Sequence, residues 1–403
     1  MSSQHGDLHE SFLRYVCQTS PFPTAFEVSH AKGCYLYDRA GRAYLDFISG
    51  ISVNNLGHNH PAIQAAVMQQ IERYAHTMVY GEHIQEPQVK LARALAEIAP
   101  ENLNCVYFLS TGAEANDAAL KLAAKLTGRR RFCAFHKAYH GDTVGAASCF
   151  GDESFRHPYQ HILLPVTFLE FGKVDDLEKI TEDIAAVLVE PVQGEGGIRV
   201  PLPSFLQSLR QRCTATGTLL IFDEVQTALG RVGDWFAATL FNVTPDLITM
   251  AKALGGGYPL GALVGEREML RRFAAEPPFS HITTFGGHPV SCAAGLAVIR
   301  TIRSERLLSN ARRMGKKLME GLQKICLRDE RVREVRGTGL MIGVELMDSQ
   351  LARKVVTDCR ERGLILETTL LDERVVRFSP PLIVSEQECS TALEIFETVL
   401  KEC

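Results

Sequence analysis

The sequence predicts an α/β protein with a mostly parallel sheet covered by helices on both faces. Apolar residues recur at three- and four-residue spacing in 60–76 and 86–100, which is typical of amphipathic helices. From about residue 105, apolar runs too short for helices alternate with helical stretches, and this alternation indicates a parallel sheet. The expected strands are 105–110, 131–135, 185–191, 219–224, 246–252 and 261–266.

The chain is expected to form two domains. Residues 56–289 are predicted to form a large domain, while 1–55 and 290–403 together form a smaller α+β domain. A sequence of the form SEQE at 385–388 resembles a capping box and predicts the start of the last helix. The other elements expected after residue 290 are a long helical stretch over 290–326, a helix at 350–362 and a strand at 374–378.

Composition favours a protein that acts on small molecules. The chain is 46% hydrophobic and 22% charged with a net charge of -4, which is ordinary for a soluble protein and argues against a polyanion binder. It contains no uninterrupted apolar stretch of membrane-spanning length, and its polar start lacks the layout of a signal peptide. The eleven cysteines are scattered without a CxxC pair. We therefore expect a cytoplasmic protein that binds neither nucleic acid nor membrane.

The His58 and His60 pair is the strongest candidate for a metal site. No cysteine or acidic residue stands beside it in the sequence, and Pro61 is well suited to the first turn of a helix. A turn before that helix is therefore the favoured interpretation, and no metal is predicted.

Polar residues follow several predicted strands where each strand ends. These are Ser110, Glu190, Asp223 and Lys252, and in a parallel sheet they would meet at one edge. Asp223 and Glu224 directly follow an apolar run, although a carboxylate is costly to bury without a partner. Either the strand reaches the surface there, or one of the two acids faces a cationic ligand.

The stretch 110–128 offers a candidate anion site at a helix start. The backbone N–H groups of Gly112 and Ala113, with the hydroxyl of Ser110 or Thr111, would face an anion there. An ordinary N-cap is the alternative interpretation.

Lys252 stands at a strand end before three glycines. A partly desolvated lysine loses its proton more readily and becomes a nucleophile for carbonyl groups. The alternative is a lysine that extends from the sheet edge into solvent.

Six motifs in order resemble those of the class III aminotransferases, which are pyridoxal-phosphate enzymes of fold type I. The resemblance covers about residues 22–400 and is strongest to the acetylornithine and ornithine aminotransferase branch. It implies a mostly parallel seven-stranded sheet, a homodimer, an amine donor and a keto-acid acceptor. The motifs are STGAEAN, YHGDT, EPVQGEGG, FDEVQTALGR, DLITMAKALGGGYPLGA and TTFGGHPVSCAAGLA.

The resemblance also implies roles around the cofactor, pyridoxal 5'-phosphate. Lys252 would bind it covalently and move the substrate proton, and Asp223 would bond its pyridine nitrogen. Glu224 would then face solvent or support the site from behind. The other cofactor-binding residues implied are Thr111, Gly112, Ala113, Tyr139, His140, Glu190, Val225, Gln226 and, from the neighbouring subunit, Thr284.

Two residues are implied to select the keto acid. Arg377 matches the family arginine that binds the α-carboxylate of glutamate and 2-oxoglutarate, and Glu195 matches the glutamate that pairs with it and swings away. A surface ion pair is the alternative for Arg377.

Asp142 departs from the acetylornithine and ornithine pattern, which has an arginine that binds a substrate carboxylate there. An aspartate would repel that carboxylate, so the donor is expected to be a diamine, another ω-amine or a compound with a cationic or hydroxyl group. An N-cap before the next helix is the alternative. Racemase, phospho-lyase or aminomutase chemistry on the same fold, and a non-catalytic binding protein, are the competing functions.

Overall fold

A computed structural model of the chain describes residues 5–403. The N-terminal part contains a small sheet, β1 to β3, whose strands pair antiparallel in chain order. Two amphipathic helices, α3 and α4, follow it, in agreement with the apolar spacing. The elements of this part are α1 (His5–Tyr15), β1 (His30–Lys32), β2 (Tyr35–Tyr37), β3 (Ala43–Asp46), α2 (Ser49–Ser52), α3 (Pro61–Arg73) and α4 (Glu86–Ile98).

A seven-stranded sheet forms the centre of the molecule, in the order β4-β10-β9-β8-β7-β5-β6. All strands run parallel except β10, which is antiparallel to both of its neighbours. The prediction of an α/β fold with a mostly parallel sheet is confirmed. The strands are β4 (Cys105–Leu109), β5 (Arg131–Phe135), β6 (Val166–Leu169), β7 (Ile184–Val189), β8 (Leu219–Asp223), β9 (Leu247–Met250) and β10 (Gly261–Gly265).

Alternate side chains of these strands enter two apolar layers. Ile221 packs with the alanines of α5 on one face, whereas Leu220 and Phe222 pack with α8 on the other. This alternation is the two-residue period of a strand buried on both faces. The helices of this part are α5 (Gly112–Thr127), α6 (Val144–Ser148), α7 (Glu153–Arg156), α8 (Pro203–Thr216), α9 (Ala237–Phe241) and α10 (Arg267–Leu270), with 3-10 turns at His157–Ile162, Val174–Lys179, Lys252–Gly255 and Arg271–Ala274.

The C-terminal part adds helices around an antiparallel sheet of order β11-β12-β15-β14. The helical stretch expected over 290–326 is present as two helices, because Arg306 adopts a left-handed φ of 54° and divides it. The capping box at Ser385 and Glu388 is confirmed. The elements are α11 (Pro289–Ser304), α12 (Leu307–Cys326), β11 (Val332–Thr338), β12 (Met341–Leu346), α13 (Ser349–Glu361), β13 (Leu364–Ile365), β14 (Glu367–Thr368), β15 (Val375–Phe378) and α14 (Glu386–Glu402).

The two ends of the chain are joined by strand pairing. β13 runs parallel to β3, with Leu364 opposite Leu45. This pairing supports the proposed small domain made of 1–55 and 290–403. However, α11 packs against α3 and α4, so the boundary at residue 290 stays a prediction. Among residues 5–403, no helix is both long enough and apolar enough to cross a bilayer.

Candidate active site

A cavity of about 680 Å³ lies at the carboxyl ends of the parallel strands. Ser110, Glu190, Asp223 and Lys252 follow four different strands, and all four line this cavity. The structure thus brings together the strand-end residues that the sequence singled out. The expected site residues that line the cavity are Thr111, Gly112, Ala113, Tyr139, His140, Asp142, Glu190, Glu195, Asp223, Val225, Gln226 and Lys252.

Asp223 is held in a buried hydrogen-bond network at the end of β8. One carboxylate oxygen accepts the N–H of Val225 at 3.0 Å, and the other accepts from Asn116 at 2.8 Å and His140 at 2.7 Å. Thr249 donates to the amide oxygen of Asn116 at 2.7 Å and fixes its orientation. The carboxylate therefore has a single orientation, as a group that meets a buried cation requires. Sequence reasoning missed Asn116 and Thr249; the available signal was one asparagine on the buried, alanine-rich face of α5.

Lys252 begins the turn after β9, with a φ of 46°. Burial lowers the pKa of its amine below the usual value, and the negative charges of Glu195 and Asp223 offset part of this effect. Since the neutral amine is the nucleophilic form, this environment favours attack on a carbonyl group.

The start of α5 combines an N-cap with free N–H groups. The side chain of Thr111 accepts the N–H of Glu114 at 3.2 Å, and the Glu114 carboxylate accepts those of Ser110 and Thr111. The first-turn N–H groups of Gly112 and Ala113 have no partner within a helix, and both residues line the cavity. A Cβ on Gly112 would lie 2.9 Å from the methyl groups of Val225, so only glycine fits there. The capping alternative is correct for Thr111, and the next two residues remain able to bind an anion.

The cavity wall fits pyridoxal 5'-phosphate. In the described part of the chain, Nε2 of His140 and Nε2 of Gln226 are buried without a hydrogen-bond partner. A Cβ on Gly194 would lie 1.7 Å from the Gln226 amide oxygen, so this glycine makes room for the glutamine. The unpaired polar groups suit the ring substituents of this cofactor, and the helix start suits its phosphate. The fixed carboxylate suits the ring nitrogen, and the buried amine suits the aldehyde.

Glu195 and Arg377 form a buried bidentate ion pair at the edge of the cavity. Nη1 of Arg377 donates to Oε1 of Glu195 at 2.8 Å, and Nη2 donates to Oε2. Arg377 is only 2% exposed, so the surface-pair alternative is wrong. Burial alone would raise the pKa of Glu195, but the adjacent guanidinium outweighs burial and lowers it to about 2. Glu195 lines the cavity and Arg377 does not, which places the carboxylate between the guanidinium and the cavity.

Of the two expected placements of Glu224, the one facing solvent is wrong and the one behind the site is correct. Its side chain is fully buried and accepts the N–H groups of Ala237 and Ala238, each at 2.7 Å, at the start of α9. Burial raises the pKa of Glu224 to about 7. Glu224 therefore supports the site from behind by fixing α9 against the end of β8.

Glu190 ties two loops of the cavity wall together. Its carboxyl group accepts the N–H of Tyr139 at 3.0 Å and that of Gly194 at 2.8 Å. Burial raises the pKa of Glu190 to about 7. The residue holds the loop with Tyr139 against the loop that carries Glu195.

Asp142 faces the cavity, and the N-cap alternative is wrong. Helix α6 is capped at Thr143 without a side-chain hydrogen bond, and Asp117 accepts the N–H of Ala146 instead. Asp142 is exposed and accepts a hydrogen bond from the Tyr139 hydroxyl at 2.7 Å.

Thr284 and the pair His58 and His60 lie outside this cavity. Thr284 is exposed between β10 and α11 and does not line the cavity of its own chain. His60 caps α3, with its ring accepting the N–H of Ala62 at 3.3 Å, as the turn interpretation expected. His58 contacts Asp46 at 2.7 Å, but residues 5–403 contain no group of side chains arranged to hold a metal.

Comparisons with known proteins agree with this geometry. The family model for aminotransferase class III matches residues 17–400. An acetylornithine aminotransferase from Methanopyrus kandleri is 41% identical over 389 residues, covering 96% of this chain and 97% of its own. One from Methanosarcina mazei is 40% identical over 372 residues, with 92% and 90% coverage.

Solved structures of transaminases have the same fold. A transaminase from a marine Virgibacillus superposes with a TM-score of 0.93 at 30% identity, covering 98% of each chain. The ornithine aminotransferase from Toxoplasma gondii, crystallised with partial occupancy of the cofactor, gives 0.91 at 30% identity, with 98% and 94% coverage. This chain therefore belongs to the class III aminotransferases and is a fold type I enzyme that uses pyridoxal 5'-phosphate.

Proposed function

We propose that this transaminase moves the terminal amino group of an ω-amine, diamine or ornithine-like donor to 2-oxoglutarate or pyruvate. The observation that carries the proposal is the buried pair of Glu195 and Arg377 beside the cavity. With the pair closed, the arginine charge is neutralised, and an amine without a carboxylate meets no unpaired cation. With Glu195 displaced, Arg377 can bind the carboxylate of a keto acid in a bidentate manner.

The residues of this chain divide the remaining work. Pyridoxal 5'-phosphate supplies the electron sink that makes the substrate proton acidic. Lys252 takes and returns that proton, because its buried amine has a lowered pKa. Asp223 would hold the ring nitrogen, and the N–H groups of Gly112 and Ala113 would hold the phosphate.

The relatives support an ornithine-like donor, and Asp142 supports a donor without a carboxylate at its distal end. Acetylornithine aminotransferases are among the most similar relatives in amino-acid sequence. A negative Asp142 on the cavity wall nevertheless disfavours a distal carboxylate. Both observations are compatible with a donor whose reacting amine is terminal.

The acting form is proposed to be a homodimer in the cytoplasm. Two apolar side chains close to Thr284 in the sequence are exposed, Phe285 at 57% and Ile282 at 50%, as at a subunit interface. Thr284 would reach the phosphate in the neighbouring subunit. All eleven cysteines carry free thiols, as proteins of a reducing compartment do. Light scattering on the active enzyme tests the dimer, and an active monomer would contradict it.

A donor-and-acceptor panel tests the function. The holoenzyme is supplied with putrescine, ornithine, N-acetylornithine, lysine or 4-aminobutyrate and with either keto acid. Transamination consumes the keto acid and produces its amino acid in equal amounts. Conversion of an amine without keto-acid consumption would instead indicate racemase, phospho-lyase or aminomutase chemistry.

A further inference from the structure

The acids on the cavity wall are not equivalent. Within the described chain, Asp142, Glu190, Glu195 and Asp223 line the cavity, and the basic residues that face them are Lys252 and His140. Three of the four acids are buried and already engaged. Asp223 accepts three hydrogen bonds, Glu190 accepts two backbone N–H groups, and Glu195 is paired with Arg377.

Asp142 differs because it is exposed and has unused acceptor capacity. Across residues 5–403 its hydrogen bond comes from the Tyr139 hydroxyl to Oδ2, which leaves Oδ1 available. Burial and the adjacent carboxylate raise the pKa of Tyr139, so its hydroxyl stays a donor. The Tyr139 backbone N–H is bound by Glu190 at 3.0 Å, and its ring packs edge-on against Phe150 at 5.4 Å. The Asp142 carboxylate is therefore held in place before any ligand arrives.

We propose that Asp142 is an anionic subsite for a second, non-reacting cationic group on the amino donor. The inference rests on the proposed transaminase function and narrows its donor class. The reacting amine must reach buried Lys252, so the other end of the donor points toward the exposed part of the wall, where Asp142 lies. An ammonium or guanidinium there gains a charge-assisted hydrogen bond, while a carboxylate meets repulsion.

The chemical class of donor follows from this arrangement. Diamines and basic amino compounds present a cation at the distal end, whereas butylamine presents a methyl group and 4-aminobutyrate a carboxylate. Ornithine retains a distal ammonium that N-acetylornithine has lost by acetylation. Ornithine also presents a distal carboxylate, which Asp142 repels, so the preferred donors are diamines of the putrescine class.

The first experiment compares putrescine with butylamine as donors for the holoenzyme. For the wild type, kcat/KM is expected to be about 10-fold higher with putrescine than with butylamine. One hydrogen bond between charged groups contributes a difference of this size. Asp142→Asn keeps the shape of the side chain, removes its charge and is expected to bring the ratio close to one. High salt is expected to reduce the wild-type ratio, because an exposed pair is screened. A ratio that Asp142→Asn leaves unchanged would overturn the proposal.

Tyr139→Phe is the matched control for an indirect effect. If Asp142 acts only by positioning the tyrosine ring, Asp142→Asn and Tyr139→Phe will each slow both donors by the same factor. That result would also overturn the subsite.

A binding measurement separates this inference from the proposed function. Tetramethylputrescine carries two tertiary ammonium groups and cannot transfer an amine. Calorimetry is expected to show about 10-fold weaker binding to Asp142→Asn than to the wild type. Equal binding overturns the subsite. If no amine supports transamination but this difference in binding is found, the proposed function fails and the subsite stands.

Discussion

The inner and outer walls of the cavity are built differently. The inner wall contains a buried hydrogen-bond network that joins β8, α5 and β9 and is made by Asp223, Asn116 and Thr249. These hydrogen bonds all join residues of this one chain. On the outer wall, Glu195 and Arg377 join a loop after β7 to β15 of the C-terminal sheet. Asp142 also lines the cavity and, unlike these buried groups, is exposed.

This difference assigns separate tasks to the two walls. A network whose members lie on packed elements of one sheet has one arrangement, which suits a resident cofactor. A pair that joins a loop to another sheet can be exchanged for a substrate carboxylate. Under the proposed function, the inner wall would therefore fix the chemistry and the outer wall would select the reactants. Substitutions on the inner wall should impair both half-reactions, while substitutions on the outer wall should impair one.

Replacing Lys252 with alanine is expected to give the largest effect. Turnover should fall by about 10⁴-fold or more, because covalent cofactor binding and proton transfer are both lost. The melting temperature should be retained, since a buried amine is removed rather than added. Exposed Lys173→Ala is the matched control and should keep its activity. Appreciable transamination by Lys252→Ala would remove this residue from its assigned role.

Replacing Asp223 with alanine should impair cofactor retention and both half-reactions. The side chains of Asn116 and His140 lose their acceptor, at a cost of about 1–3 kcal/mol in stability. Activity is expected to fall on the order of 100-fold, and the cofactor dissociation constant, measured by equilibrium dialysis, should rise. Exposed Asp175→Ala serves as the control. An unchanged dissociation constant would contradict the inner-wall assignment.

Replacing Glu195 with glutamine should separate the two half-reactions. The neutral amide cannot offset the Arg377 charge, so a carboxylate-free amine should react about 10-fold more slowly. Reaction with 2-oxoglutarate should stay equal or become faster, since Arg377 is easier to release. Rapid mixing measures each half-reaction alone, and exposed Glu182→Gln is the control. Equal slowing of both half-reactions would contradict separate roles for the two walls.

The smallest expected effect concerns stability and pH. Burial raises the pKa of Glu190 from 4.5 to about 7, so the folded protein keeps a proton that the unfolded chain has already lost. Stability from this group therefore falls as pH rises from about 4.5 to 7. Glu190→Gln should reduce this loss of stability with rising pH, and the melting temperature should change by a few degrees. Identical pH profiles for the two proteins would contradict the assigned burial.

The sequence indicated the main sheet and the four strand-end residues of the cavity, because polar groups at the ends of apolar strands stand out. The other expected cofactor-binding residues depended on the family resemblance. Strand β6 was missed, since its four residues lie beside Pro165 and include Thr167. The break at Arg306 carries no glycine or proline signal. The choice between solvent and a supporting position for Glu224 stayed open because its partners, the N–H groups at the start of α9, are distant in sequence. Pairings of this kind arise from the tertiary fold and leave no local pattern.

Single-turnover absorbance of Arg377→Ala tests whether the inner wall is fixed and the outer wall exchangeable. The purified holoenzyme is mixed first with putrescine and then, after removal of the amine, with 2-oxoglutarate. The amine half-reaction is expected to proceed at close to the wild-type rate. The keto-acid half-reaction should slow by about 100-fold, because a bidentate charged contact with the keto acid is lost. Equal rates with 2-oxoglutarate, or equal slowing of both halves, would contradict the division of the cavity into a fixed wall and an exchangeable one.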